Sequence, residues 1–423
     1  MPDERSPDIR EPTPGSAFIL AGTLISDGGA TADSIVAVAG GRISYAGPRS
    51  GFDAAGFRSG VRAAAGPDHA TEISLPPGSS LLPGLIDLHC HGAAGGDFPT
   101  GDSRACRAAV GFLHRNGTTT LLASLVTAPA EELIRGIGVL RPLADEGLIA
   151  GIHAEGPFLA RARCGAHDPE WLRNPAPGLL RRLLHAAGGT LRTMTYAPEL
   201  PGAAGLVSML AANGVTPSLG HTAADARTAA DSLAAAAETL RGTGRRPTVT
   251  HLFNGMPPLH HRGPGPVAAC LRLAAAGTVA VELIGDGVHL DPETVRMVFA
   301  LVGAGNIALV SDSLAATGLP DGDYELGRTA VVVRGGVAAL KGTGALAGGT
   351  ATLLDVVRRT IEAGVAPADA VKAATLVPAG ILGLGTEIGS LRPGMRADIV
   401  AVDRDFRLAA VLRGGRPLAQ PPS

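Results

Sequence analysis

Six side chains of this sequence could share bound cations: His89, His91, Glu155, His221, His251 and Asp312. His89 and His91 stand one residue apart in Leu85-Ile-Asp-Leu-His-Cys-His-Gly, at the end of an apolar run. Residues i and i+2 of a strand share a face, roughly 6–7 Å apart. Two imidazoles so placed can close on one divalent ion through bonds of about 2.0–2.1 Å. Taken alone, the pair does not separate a metal site from a polar strand end. The other four residues do, because each also follows an apolar run, and ionisable groups there need partners to be buried. Six donors exceed the four of a tetrahedral zinc. A carboxylate bridging two ions roughly 3.5–4 Å apart would use them all. Many two-metal barrels bridge with a modified lysine. Here the only lysines, Lys341 and Lys372, come after Asp312, so Glu155 is the expected bridge. Nitrogen and oxygen donors suit zinc, and also iron, manganese or cobalt, with one or two ions per subunit expected. Such ions lower the pKa of bound water towards ~7. Asp312 is the candidate to take a proton from that water and deliver it to a leaving group. The chemistry expected is hydrolysis at a carbon or phosphorus centre.

The elements that must position these groups are short apolar runs alternating with helical stretches. Strands are expected over 82–91, 118–125, 148–155, 191–199, 215–221, 248–254, 279–289 and 307–313. Helices are expected over 103–116, closed by Asn116-Gly117, over 222–242, and from Asp291-Pro-Glu-Thr onward. Eight such units give an α/β fold, a (β/α)8 TIM-like barrel, whose sites lie at the C-terminal rim of the strands. The rival is a doubly wound open sheet, but no GxGxxG follows the first strand. Residues 17–73 and those after 385 read as β-like pieces without a long helix. The expected organisation is a flexible tail (1–15), a small β-sandwich domain from segments 16–81 and 385–423, and a catalytic barrel (82–384). Residues 320–350, rich in glycine, read as loops over the barrel mouth.

Composition narrows the partners. In 423 residues, 45% are hydrophobic and 17% charged, with a net charge of −2. A sizeable core is expected, and nothing in the charge favours nucleic acid or an acidic membrane. Four cysteines without a CxxC pair read as reduced thiols in a cytoplasmic protein. The first residues lack the basic start of a signal peptide, and the run 17–25 is too short to span a bilayer.

The motifs resemble those of the amidohydrolase superfamily, and more closely those of its N-acetylglucosamine-6-phosphate deacetylase family. The likeness rests on Pro83-Gly-Leu-Ile-Asp-Leu-His-Cys-His-Gly, Gly151-Ile-His-Ala-Glu-Gly-Pro-Phe-Leu, Cys164-Gly-Ala-His-Asp-Pro, Ala197-Pro-Glu, Gly220-His-Thr, Thr250-His-Leu-Phe-Asn-Gly-Met, Asp286-Gly-Val-His and Ser311-Asp-Ser-Leu-Ala-Ala-Thr-Gly. It implies hydrolysis of the acetamide of N-acetylglucosamine 6-phosphate to glucosamine 6-phosphate and acetate. It also implies that Glu155, His221 and His251 are metal ligands and that His89 and His91 form the pair found in two-ion members. By the same likeness Asp312 is the general base and acid, and His167 polarises the substrate carbonyl. Asn254, Gly255 and His289 would touch sugar and phosphate. Arg262 would bind phosphate from the neighbouring subunit of a homodimer. Two departures stand out: Cys164 where many relatives have lysine, and Gly263 where an acidic residue is frequent. The alternatives are a deacetylase of another N-acyl amino sugar or N-acyl amino acid, or a silent binding protein on the same scaffold.

Other residues have plainer readings. His114 and His185 fall within helices, His69 in a polar linker, and His260 and His261 in a loop. His153 shares the face of Glu155 by strand alternation, as a supporting or structural residue. Cys90 should face the barrel wall.

Overall fold

The computed structural model describes residues 17–65 and 70–419. The expected tail and His69 lie outside the described residues. Eight parallel strands form the central sheet: Leu85–Cys90, Thr118–Leu125, Gly151–Glu155, Leu191–Tyr196, Thr216–Leu219, Thr248–Val249, Ala280–Leu283 and Ile307–Leu309. Each neighbours the next in chain order. The first and eighth meet through backbone bonds at the rim, where His91 N–H donates to Ser313 O (2.6 Å) and Asp312 N–H to His89 O (2.9 Å). The barrel therefore closes through candidate site residues. Helices between the strands cover its outside.

The strands end earlier than their apolar runs suggest. The sixth spans two residues, and His251 and Phe253 beyond it have positive φ. The first expected strand splits at Gly84. Ser80–Pro83 pairs with Ile399–Val402 in another sheet, while Leu85–Cys90 enters the barrel. Gly84 allows this because a Cβ there would lie 2.1 Å from the Thr119 hydroxyl and 2.8 Å from Asp398 Cβ.

The second large sheet draws on both ends of the chain. It joins Ala17–Ser26, Gly29–Ala39 and Arg42–Pro48 to Ser80–Pro83, Ile399–Val402, Leu408–Arg413 and Arg416–Pro417. These strands fit a small sandwich domain beside the barrel. Two expectations are corrected here. A twelve-residue helix, Ala54–Ala65, interrupts the N-terminal strands. Residues 322–348 form an antiparallel four-stranded sheet and not loops. Its buried residues Leu326, Val331 and Val333 pack on Val126 and Leu314 at the barrel mouth.

The helix signals act as expected. Asp102 caps Ser103–Arg115 by accepting from Ala105 N, and Asp291 opens Pro292–Val302 with proline at its first position. The alanine-rich helix begins at Ala226, after Asp225, and ends at Thr239. Among the described residues no helix is long and apolar enough to cross a membrane.

Candidate metal centre

Glu155 ends the third strand. His221, His251 and Asp312 follow the fifth, sixth and eighth, while His89 and His91 close the first. All six are buried. His221, His251 and Asp312 have φ of 47°, 26° and 49°. Left-handed backbone is strained for such residues and persists where the surroundings enforce it, often at functional sites. It turns these side chains off the strand ends and over the barrel axis.

The donors form two groups that share Glu155. Its Oε1 lies 3.0 Å from His221 Nε2 and 2.9 Å from His251 Nε2, which are 3.1 Å from each other. Its Oε2 lies 3.3 Å from His91 Nε2 and 3.6 Å from His89 Nε2. Asp312 Oδ1 completes the second group, 3.3 Å from His91 Nε2 and 3.5 Å from His89 Nε2, with the two imidazole nitrogens 3.1 Å apart. Bonds of about 2.0–2.1 Å at tetrahedral to octahedral angles put neighbouring donors about 2.9–3.4 Å apart. Both groups nearly meet that spacing, so the residues present fit divalent cations.

Electrostatics agrees with this fit. Burial alone would lower the pKa of His89, but the Glu155 and Asp312 carboxylates hold it well above the ordinary value. His91 is pushed up to about 9 by the same carboxylates, against burial. Burial opposes the charge on Glu155 and Asp312, yet the surrounding imidazoles, His89 foremost, hold both below the usual carboxylate range. The cluster calls for positive charge, which protons or cations can supply.

The imidazoles are held from behind. His221 Nδ1 donates to Arg163 O (2.7 Å), His91 Nδ1 to Ser124 O (3.3 Å), and His89 Nδ1 to Glu282 Oε2 (3.3 Å). Each contact leaves Nε2 facing the cluster with a free lone pair. Gly255, at φ 62°, passes so close that a Cβ would lie 2.8 Å from His221 Nδ1.

The cleft of about 170 Å³ above this cluster is lined by His91, Glu155, His167, His221, His251, Asn254, Gly255, His289 and Asp312 on its polar side, and by Val126, Leu326 and Leu346 on its apolar side. His167 Nδ1 accepts from Thr127 N–H (3.2 Å), so its proton sits on Nε2, 3.3 Å from Glu155 Oε2. Burial pushes its pKa down to about 4, so the ring is a neutral donor. His289 Nε2 lies 3.9 Å from Asp312 Oδ2, and its Nδ1 meets Asp286 Oδ2 at 2.8 Å. Asn254 Nδ2 donates to His251 O (3.2 Å). Arg262 is exposed, outside the cleft wall, with its guanidinium on His261.

Sequence reading missed Glu282, which holds His89, and gave no role to Asp286, which holds His289 and stands in the quoted motif Asp286-Gly-Val-His. Glu282 had one signal: a carboxylate inside the apolar strand Ala-Val-Glu-Leu. His153 lies beneath the site, bonded to Ser124 Oγ (2.9 Å) and Thr195 Oγ1 (2.8 Å), with its ring centroid 4.5 Å from that of His89. Cys90 faces the wall, its thiol donating to Leu122 O.

Known proteins resemble this chain in sequence and fold. The pattern of the amidohydrolase family matches residues 80–418. N-acetylglucosamine-6-phosphate deacetylase of Bacillus subtilis is 34% identical over 82% of this chain and 86% of its own length. N-acetylgalactosamine-6-phosphate deacetylase of Escherichia coli O157:H7 is 34% identical over 78% of this chain and 85% of its own. Among solved structures, a mutant N-acetyl-D-glucosamine-6-phosphate deacetylase from Mycobacterium smegmatis, in complex with N-acetyl-D-glucosamine-6-phosphate, superposes with a TM-score of 0.84 at 36% identity. It covers 96% of this chain and 100% of that one.

Proposed function

The chain belongs to the metal-dependent amidohydrolase family, and from that premise we propose that it hydrolyses the acetamide of N-acetyl-D-glucosamine 6-phosphate to D-glucosamine 6-phosphate and acetate. The observation that carries the reading is the set of six donors gathered round Glu155 under a cleft, with its Oε1 beside His221 and His251 and its Oε2 beside His89 and His91. Glu155, His221 and His251 would hold one divalent ion, and His89, His91 and Asp312 a second, with zinc the first choice. When bound, such ions supply Lewis acidity and a water acidified to near neutrality.

The chain's own groups do the rest. Asp312 accepts the proton of the attacking water and returns it to the sugar nitrogen as the C–N bond breaks. His167 donates from Nε2 to the acetyl oxygen as negative charge develops there, and a neutral donor does so without losing its proton. His289, Asn254 and Gly255 hold the sugar and phosphate. Arg262, exposed in its own subunit, fits a guanidinium fork offered to the phosphate of a neighbouring subunit's substrate, which makes the working unit a homodimer. Four free cysteines fit a reducing, cytoplasmic setting.

The Escherichia coli relative supports a second reading, in which the galacto epimer is the substrate. Acetate release from both 6-phosphates and from unphosphorylated N-acetylglucosamine decides between them. The gluco 6-phosphate should give the highest kcat/KM. A higher value for the galacto epimer reassigns the substrate, and equal rates without phosphate remove Arg262 from recognition.

A further inference from the structure

Glu282 is a buried carboxylate on the seventh strand, 2% exposed, with one oxygen on two different candidate ligands. Strand alternation sends Val281 and Leu283 outward into the helix-facing core. Glu282 therefore points into the barrel, where its neighbour Ala280 packs among Ile86, Leu122 and Ala308. Its Oε2 accepts from the ring Nδ1–H of His89 at 3.3 Å and from the backbone N–H of His251 at 3.3 Å. Its own carbonyl accepts from Leu252 N–H at 2.9 Å, pinning the same turn a second time.

Among the described residues no other outer partner of the four imidazoles is charged. His91 and His221 rest on backbone carbonyls. His251 Nδ1 is buried with no partner, so Glu282 meets this residue at its backbone N–H, at a φ of 26°, and not at its ring. A carboxylate behind a ligating imidazole sets its tautomer and raises its basicity. His89 belongs to one donor group and His251 to the other.

We infer that Glu282 is a positioning residue that ties the two ion positions together, holding the ring of a ligand in one and the backbone of a ligand in the other. The inference rests on the proposed reading of the six donors as a two-cation set. A mere space-filler of the barrel interior would affect folding and not cation affinity, and this difference makes the role testable.

The experiment is zinc titration of full-length protein against a competing chelator, with ions counted per chain, for wild type, Glu282→Gln and Glu282→Leu. Thermal melts of the same preparations are recorded metal-free. The wild type should hold two ions. Glu282→Gln, which keeps an acceptor but not the charge, should hold its second ion about 10–100-fold more weakly. Glu282→Leu should hold one ion at most, while its metal-free Tm stays near that of wild type. Wild-type zinc affinity in Glu282→Gln overturns the inference even if Glu282→Leu does not fold. A lowered metal-free Tm with unchanged zinc affinity overturns it too, by making Glu282 structural only. A wild-type chain that binds fewer than two ions overturns the ligand reading itself, whatever the variants do.

Discussion

Asp312 and His167 face one cleft with opposite equipment, the first able to take a proton and the second holding one on the nitrogen it presents. Asp312→Asn keeps the shape and removes the base, so kcat should fall by roughly 10²–10⁴. His167→Asn removes the donor to the developing oxyanion and should lower kcat by roughly 10²–10³, with KM nearly unchanged. Steady-state kinetics on the phosphorylated sugar checks both, and a rise in KM alone would make either residue a binding group. That these six side chains gather was legible in the sequence because ionisable residues recur at the ends of several apolar runs, where each needs a buried partner. The role of Glu282 was not, since its contact with His89 crosses from the seventh strand to the first, which spacing cannot display.

At the scale of elements, the alternation of short strands and helices was legible because short apolar runs recur between longer helical stretches. The ends of the runs were misread. Apolar residues continue past the strand into the turns that carry His221, His251 and Asp312, because those turns are themselves buried. The sheet over 322–348 was hidden by glycines at 335, 336, 342 and 344, which mark its hairpin turns and read as loop. Gly84 shows how one residue can switch a chain between sheets. Gly84→Ala drives a methyl into Thr119 and Asp398 and should destabilise the fold by about 1–3 kcal/mol. Urea unfolding measures this, and an unchanged midpoint would mean that the two sheets separate easily at that point.

The whole molecule couples its two large sheets through half-buried arginines. Arg413 Nε donates to Thr119 O (2.9 Å) and Arg396 Nη2 to Thr120 Oγ1 (2.9 Å), both on the second barrel strand. His114 is buried nearby, and burial, then Arg413, pushes its pKa well below the ordinary value. A depressed histidine pKa means the unfolded chain binds the extra proton. Stability from His114 is therefore full above about pH 6.5 and lost as pH falls below it. Urea midpoints at about pH 7.5 and about pH 5.5 should differ less in His114→Gln than in wild type, and an equal difference would remove His114 from the acid response. Assembly has its own test. If Arg262 serves the neighbouring subunit, mixing inactive Asp312→Asn with Arg262→Ala under subunit exchange should restore activity towards roughly a quarter of wild type, because mixed dimers hold one complete site. No recovery in confirmed mixed dimers would place Arg262 in its own subunit's chemistry.

The proposed chemistry requires these imidazoles and carboxylates to act on an amide through cations that they hold. Acetate release from N-acetylglucosamine 6-phosphate, measured before chelation, after removal of metal, and after return of zinc, tests it most directly. Activity should vanish with the metal and return with it. A metal-free protein that still releases acetate at the full rate would rule bound cations out of the reaction.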